Sequence, residues 1–341
     1  MKHLLNTLYI LTPESYLFLQ NETIGVKVGG TERIRVPAHT IDAIYCFGNV
    51  TVSTPLIGFC GAHGIHLVFL SEHGKFYGRV QGPVSGNILL RRQQFAALED
   101  PTRRTRLSKS ILLGKLVNSK LFLQRQKRER EDPNGRIANA IAALTDAAKD
   151  LREAPTIESM RGIEGAAAAA YFSALPDMLQ GTTLSFSGRT RRPPEDPVNA
   201  VLSFLYTLLK NDVQSSLEGV GLDPAAGFLH TLRPGRPALA LDMMEELRAP
   251  VCDRLAIALL NRKQITEASF EQLNAPVLLN EDGRKTVLSA WQKRKQETIR
   301  HPFLEETVPV GLIPHVQAKL LARVLRGELD EYPPMVWRWV H

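Results

Sequence analysis

Apolar residues in the first quarter of the chain come in short runs of alternating character. LLNTLYIL (4–11), SYLFLQ (15–20), TIGVKV (23–28), ERIRVP (32–37), IDAIYCFG (41–48), NVTVS (49–53), IHLVFLS (65–71) and KFYGRVQ (75–81) are rich in Val, Ile, Leu, Tyr and Phe. Thr12-Pro13-Glu14, Gly29-Gly30, Gly48-Asn49 and Glu72-His73-Gly74 separate them. Short runs of this kind between turn formers predict strands. TPLIGFCGAHG (54–64) departs from the pattern. It opens on Thr-Pro and places small residues at helical spacing, which predicts one short helix among the strands.

Past the turn cluster Gly82-Pro83-Val84-Ser85-Gly86, which reads as a linker, the period changes. RRQQFAALED begins a helix. TRRTRLSKSILLGKLVNSKLFLQRQKRERED (102–132) has Gly114 as its one helix-weakening residue and carries Leu112, Leu116, Leu121 and Leu123 as an apolar stripe. It should stop near Asp132-Pro133-Asn134-Gly135. RIANAIAALTDAAKDLREA is amphipathic, and the helix after it carries Glu164. Asp196 is placed to cap the helix that opens on Pro197. PALALDMMEELR and residues 249–261 read as helical, 264–283 as a turn excursion with β character, and KTVLSAWQKRKQETIR and PHVQAKLLARVLRGEL as helices. The tail DEYPPMVWRWVH has no regular pattern. The expected fold is α+β: a small N-terminal β domain (1–85) and a larger all-helical domain (86–341).

Composition narrows the class. Of 341 residues, 44% are apolar and 23% charged, the balance of a globular protein long enough for about two domains. A net charge of +7 favours an anionic partner, nucleic acid being the commonest. Cys46, Cys60 and Cys252 show no CxxC spacing, which argues against a disulfide framework and a structural zinc site and fits a reducing cytosol. The start lacks a signal-peptide pattern, and no apolar run approaches the ~20 residues that span a bilayer. The expectation is a cytoplasmic protein without a membrane segment. No P-loop pattern is present, so no nucleotide cofactor is expected.

Candidate chemistry concentrates in GLDPAAGFLHTLRPGRPALALDMMEELR (221–248). Asp242 and Glu245 lie one helical turn apart on one face. The apolar residues before them imply burial, and buried carboxylates need a cation or several donors. His230 lies just upstream, and Glu164 is followed by Gly165 and Ala166–Ala170, small enough to let another helix come close. Each has a plainer reading. Glu164 pairs with Arg161 on a solvated face, His230 bonds helix-end carbonyls, and the acidic turn is a surface. Together they suggest one divalent metal held by Glu164, His230 and Glu245, with Asp242 serving a second ion or the outer shell. Mn²⁺ or Mg²⁺ suits such a ligand set. Arg189, Arg191 and Arg192, with Arg233, Arg236 and Arg248, are candidate DNA contacts. Further basic clusters at Arg103–Lys109, Lys120–Arg130 and Lys293–Lys295 suggest a phosphate track.

RGIEGAAAAAYF, PPEDPVNAVLSFLYTLL, GLDPAAGFLHTLRPGRPALALDMMEELR, ITEASF, GRKTVLSAWQKRKQE and PHVQAKLLARVL, in that order, resemble the CRISPR-associated endonuclease and integrase family Cas1 in its type I-C form. The resemblance spans essentially the whole chain. It implies an N-terminal β domain that dimerises, a helical catalytic domain, and two such homodimers flanking a Cas2 dimer. It also implies capture of a short double-stranded DNA and its insertion into the CRISPR repeat by 3′-hydroxyl attack. Many members carry Asp at the third metal position, where Glu245 stands here. A stand-alone structure-selective nuclease and a catalytically silent nucleic-acid scaffold are the alternatives.

Overall fold

The computed structural model describes residues 6–72, 74, 76–80, 82, 88–190, 193–273 and 275–337. Most of the expected linker, the turn residue His73, and Arg191 and Arg192 lie outside the described residues.

All eight expected strands form: β1 (Asn6–Ile10), β2 (Tyr16–Gln20), β3 (Thr23–Val28), β4 (Thr31–Pro37), β5 (Ile41–Phe47), β6 (Thr51–Val52), β7 (His66–Leu70) and β8 (Phe76–Val80). The inserted helix, α1 (Thr54–His63), forms as well. Ser53 caps it through the Leu56 N–H, and Gly64 closes it in the left-handed region at φ 68°. The strands make two four-stranded sheets, β1-β5-β7-β8 and β4-β3-β2-β6. In the first, β1, β5 and β7 run parallel and β8 antiparallel.

The first sheet is buried on both faces, which explains the near-continuous apolar run of β5. With a side-chain period of two, Ile44 and Cys46 point between the sheets, where they meet Leu17, Ile24, Leu67, Leu56 and Cys60. Ala43, Tyr45 and Phe47 point the other way and join the helical core. Tyr45 also donates to Asp212 across that junction at 2.9 Å.

The helices are α2 (Ile88–Glu99), α3 (Pro101–Glu129), α4 (Arg136–Glu153), α5 (Ile157–Ser173), α6 (Leu175–Met178), α7 (Pro197–Val220), α8 (Ala238–Met244), α9 (Arg254–Asn261), α10 (Glu281–Gln296) and α11 (Ile313–Leu325). Asp100 caps α3 and Asp196 caps α7, each accepting first-turn N–H groups. On α3 the buried stripe is Leu107, Ile111, Leu112, Leu116, Phe122 and Leu123. Leu121 is only half-buried, because Phe122 takes its expected place.

Two features depart from the sequence reading. Helix α10 stops at Gln296, where Glu297 turns extended. Thr298–Arg300 then pairs antiparallel with Thr307–Pro309, giving the helical part a small β-ribbon. The tail is irregular, as expected, through residue 337, and it is packed, with Tyr332, Met335 and Trp337 all buried. No described helix is long and apolar enough to cross a membrane.

Candidate active site

The site is assembled by one carboxylate. Asp242 on α8 is wholly buried, so its charge must be met by donors. It accepts the backbone N–H groups of Phe228 (2.6 Å), Leu229 (3.0 Å) and His230 (2.9 Å). His230 Nδ1 lies 2.6 Å from Oδ1 of the same carboxylate. The loop that precedes α8 is thereby folded back onto the helix. Gly227 is required at this crossing, since a Cβ there would lie 2.5 Å from the Ala238 carbonyl carbon. The carbonyls on the other side of the loop are taken by arginines. Arg104 on α3 donates to Phe228 O at 2.8 Å, and Arg161 on α5 donates to Leu229 O at 2.9 Å.

This answers two of the plainer readings. Arg161 is spent on the histidine loop rather than on Glu164. His230 meets a carboxylate, which only accepts, so Nδ1 carries a proton and Nε2 is left to face Glu245. That Nε2 lies 3.9 Å from Glu245 Oε1. Asp242 therefore has two donors on each of its oxygens.

Glu245 lies where the helix changes pitch. Helix α8 ends at Met244, Glu245–Leu247 tightens into a 3₁₀ turn, Arg248–Asp253 widens into a π turn, and α9 follows. Such widened turns recur at functional sites. The pitch change buries two successive acids with different partners. Glu245 has Arg248 Nη2 3.0 Å from Oε1 and Lys115 Nζ 2.8 Å from Oε2. Burial raises its carboxyl, but Arg248, Lys115 and His230 outweigh that and hold it down at about 2. Glu246 accepts from Tyr332 and Gln317 at Oε1 and from the Met335 N–H at Oε2. With hydrogen bonds but no cation to offset it, burial pushes Glu246 up to about 7.

Glu164 reaches the same place from α5. The Lys115 ammonium, on α3, pairs with both Glu164 and Glu245. Sequence reasoning missed Lys115. Its signal was a lone lysine in the apolar stretch ILLGKLV. Glu245 Oε2 is buried, and the Lys115 ammonium at 2.8 Å is the cation that meets it.

Two carboxylates that share one lysine, and an imidazole whose Nε2 faces one of them, have the donor chemistry for a hard divalent cation. Among the described residues no three His, Cys, Asp or Glu side chains are already gathered as a ligand set. The positive charge between the carboxylates is that of Lys115.

A cleft opens from this point. Lys115, Ala168, Tyr206, Glu245 and Arg248 line its inner end. A neighbouring open pocket of about 730 Å³, which shares Ala168 and Phe172 with it, lies between Arg136, Phe186 and Arg189. The small residues after Glu164 therefore line a cleft instead of receiving a helix. Asp253 accepts from Tyr171 (2.8 Å) and Tyr206 (2.6 Å) beneath it. Arg248 stacks 5.0 Å over Tyr206, and Arg189 stacks on the same ring at 5.3 Å while donating to Asn199.

The other basic candidates scatter. Arg233 is exposed, and Arg236 lines a second cleft with Arg79, Arg91 and Lys210. The three outlying clusters are largely structural: Arg103, Arg104 and Lys109 donate to backbone carbonyls, Arg125 pairs with Glu129, and Lys295 with Asp212.

The family model of CRISPR associated protein Cas1 matches residues 8–293. A CRISPR-associated endonuclease Cas1 of Rhodospirillum rubrum is 46% identical over 99% of this chain and all of its own length. One of Moorella thermoacetica is also 46% identical, with the same coverage of both chains. Among solved structures, a Cas1 protein from Thermotoga maritima has a TM-score of 0.82 at 23% identity, covering 95% of this chain and 97% of its own. A Cas6-RT-Cas1–Cas2 complex scores 0.82 at 22% identity over 99% of this chain and 36% of that one. A casposase bound to integration product scores 0.80 at 20% identity over 98% and 95%. At these identities the structures show a shared fold.

Proposed function

Because this chain belongs to the CRISPR-associated Cas1 family, we propose that it is a metal-dependent DNA endonuclease and strand-transfer integrase of CRISPR adaptation. It joins a short duplex to the CRISPR repeat by attack of a 3′-hydroxyl on a phosphodiester. The observation that carries this reading is that Lys115 pairs with both Glu164 and Glu245 while His230 Nε2 lies 3.9 Å from Glu245, which lines the inner end of a cleft. The names of its relatives, which are endonucleases, support it, as does the likeness of its fold to a casposase bound to integration product.

In this reading Glu164, His230 and Glu245 hold Mg²⁺ or Mn²⁺, and bound metal supplies Lewis-acid activation of the hydroxyl and neutralises charge on the phosphate. Asp242 fixes the imidazole and its tautomer. Arg248, held by Glu245 and the Tyr206 ring, presents its remaining N–H donors to non-bridging oxygens. Bonds broken and made are nearly equal in energy, so no nucleotide is consumed. The proposed partners are double-stranded DNA, a second copy of the chain and a Cas2 dimer, in keeping with the Cas1–Cas2 complex of the same fold. The proposed division of labour is dimerisation by 1–85 and catalysis by 86–341, in the cytoplasm.

A strand-integration assay tests this. Labelled duplex with free 3′-hydroxyls is mixed with supercoiled plasmid carrying leader and repeat, this protein and Cas2, with Mg²⁺, Mn²⁺ or chelator. Label joined at the repeat is expected, and its loss in chelator, Glu164→Ala and His230→Ala. Cleavage without joining would favour the stand-alone nuclease, and joining that survives both substitutions would overturn the site.

A further inference from the structure

Lys115 is the one cation that touches both Glu164 and Glu245 among the described residues. Its side chain is 13% exposed and lies on α3 between the buried Gly114 and Leu116. An ammonium there is tolerated only when paired, and two carboxylates facing each other without a cation repel. Each charge is therefore what permits the other to be buried. Arg248 also pairs with Glu245, but it is anchored over the Tyr206 ring. Lys115 is a compact charge on a flexible four-carbon stem, divided between two carboxylates. It also lines the cleft.

We propose that Lys115 is a displaceable internal counter-ion: it holds the Glu164–Glu245 pair together in the metal-free protein, yields to the divalent cation, and then donates to a phosphate oxygen in the cleft. This rests on the metal-site reading above. A doubly charged ion attracts the carboxylates more strongly than an ammonium does, and the stem lets the ammonium move without backbone change. The arrangement has an unusual signature. Removing Lys115 should tighten metal binding while weakening catalysis, whereas a residue that merely supports the site would weaken both.

The test is calorimetric titration of the full chain with Mn²⁺, using wild type, Lys115→Met and Glu164→Ala, together with strand joining at saturating Mn²⁺. Lys115→Met is expected to bind Mn²⁺ about tenfold tighter, the low end of what one adjacent opposite charge does to a carboxylate's affinity for a cation, and to join strands more slowly. Equal or weaker binding by Lys115→Met, with wild-type binding lost in Glu164→Ala, overturns the role of Lys115 and leaves the metal site standing. Wild-type binding that persists in Glu164→Ala overturns the metal site and this inference with it. A second measurement needs no variant. Acetylation of Lys115 by an amine-reactive reagent, read by mass spectrometry, should rise several-fold when Mn²⁺ saturates the wild-type protein. Unchanged labelling with Mn²⁺ bound contradicts displacement.

Discussion

Asp242 is the residue on which the site depends, although it is spent entirely on protein groups. It receives three backbone N–H groups and the His230 ring. Replacing it with Asn keeps the shape but loses the charge, and places an amide NH₂ where only donors now point. Asp242→Asn should weaken Mn²⁺ binding by about 10–100-fold, the usual cost of removing a partner behind a histidine ligand, measured by the same titration. A loss no larger than twofold would mean the loop holds its shape without the charge. At this scale the sequence brought forward residues that the fold places near one another. Acids after an apolar run, a nearby histidine and an isolated Glu164 were visible in it. That the loop N–H groups reach Asp242 while Lys115 and Arg248 reach Glu245 was not, because it depends on how the loop folds back onto the helix. Lys115 was missed for a related reason: a single lysine in a helix reads as a solvated charge until its partners, Glu164 and Glu245, are brought from two other helices.

At the scale of elements, the helix carrying Glu245 is held from behind by the tail. Asn118 on α3 donates to Glu246 O (2.7 Å) and Met335 O (2.6 Å) and accepts from the Trp337 N–H at 2.7 Å. Gly114, one turn earlier on α3, makes room for this. A Cβ at that position would lie 2.8 Å from Pro334 Cβ and 3.2 Å from Glu246 Cβ. Gly114→Ala gains helix propensity but must push the tail away, and overpacking of this kind costs about 1–3 kcal/mol. Urea unfolding should show a net loss of stability, with faster proteolysis of the tail. A more stable variant would mean the tail gives way freely. The strands, the inserted helix and the capped helices followed from period and turn chemistry in the sequence. The packed tail did not, because Tyr332, Met335 and Trp337 follow no repeat. The switch from helix to ribbon at Thr298 also escaped, since Val308 pairs with Ile299 only after the chain has turned back.

Across the whole molecule, excess positive charge was a poor guide to the location of the cleft. Arg104 and Arg161 shape the histidine loop from outside, and Lys295 helps fasten α10 to α7 through Asp212, which Tyr45 also reaches from the β-sheet. The cations left near chemistry are Lys115, Arg248 and Arg189, gathered where the cleft meets Glu245 and Tyr206. The β-sheets thus sit against a helical body in which Glu245, next to His230, lines one cleft. The most direct measurement is anomalous diffraction from crystals of the protein soaked in Mn²⁺. One peak bounded by Glu164, His230 Nε2 and Glu245, absent in Glu164→Ala crystals, is the expected result. A peak elsewhere, or none while Mn²⁺-dependent joining persists in solution, would contradict the assignment of these three residues.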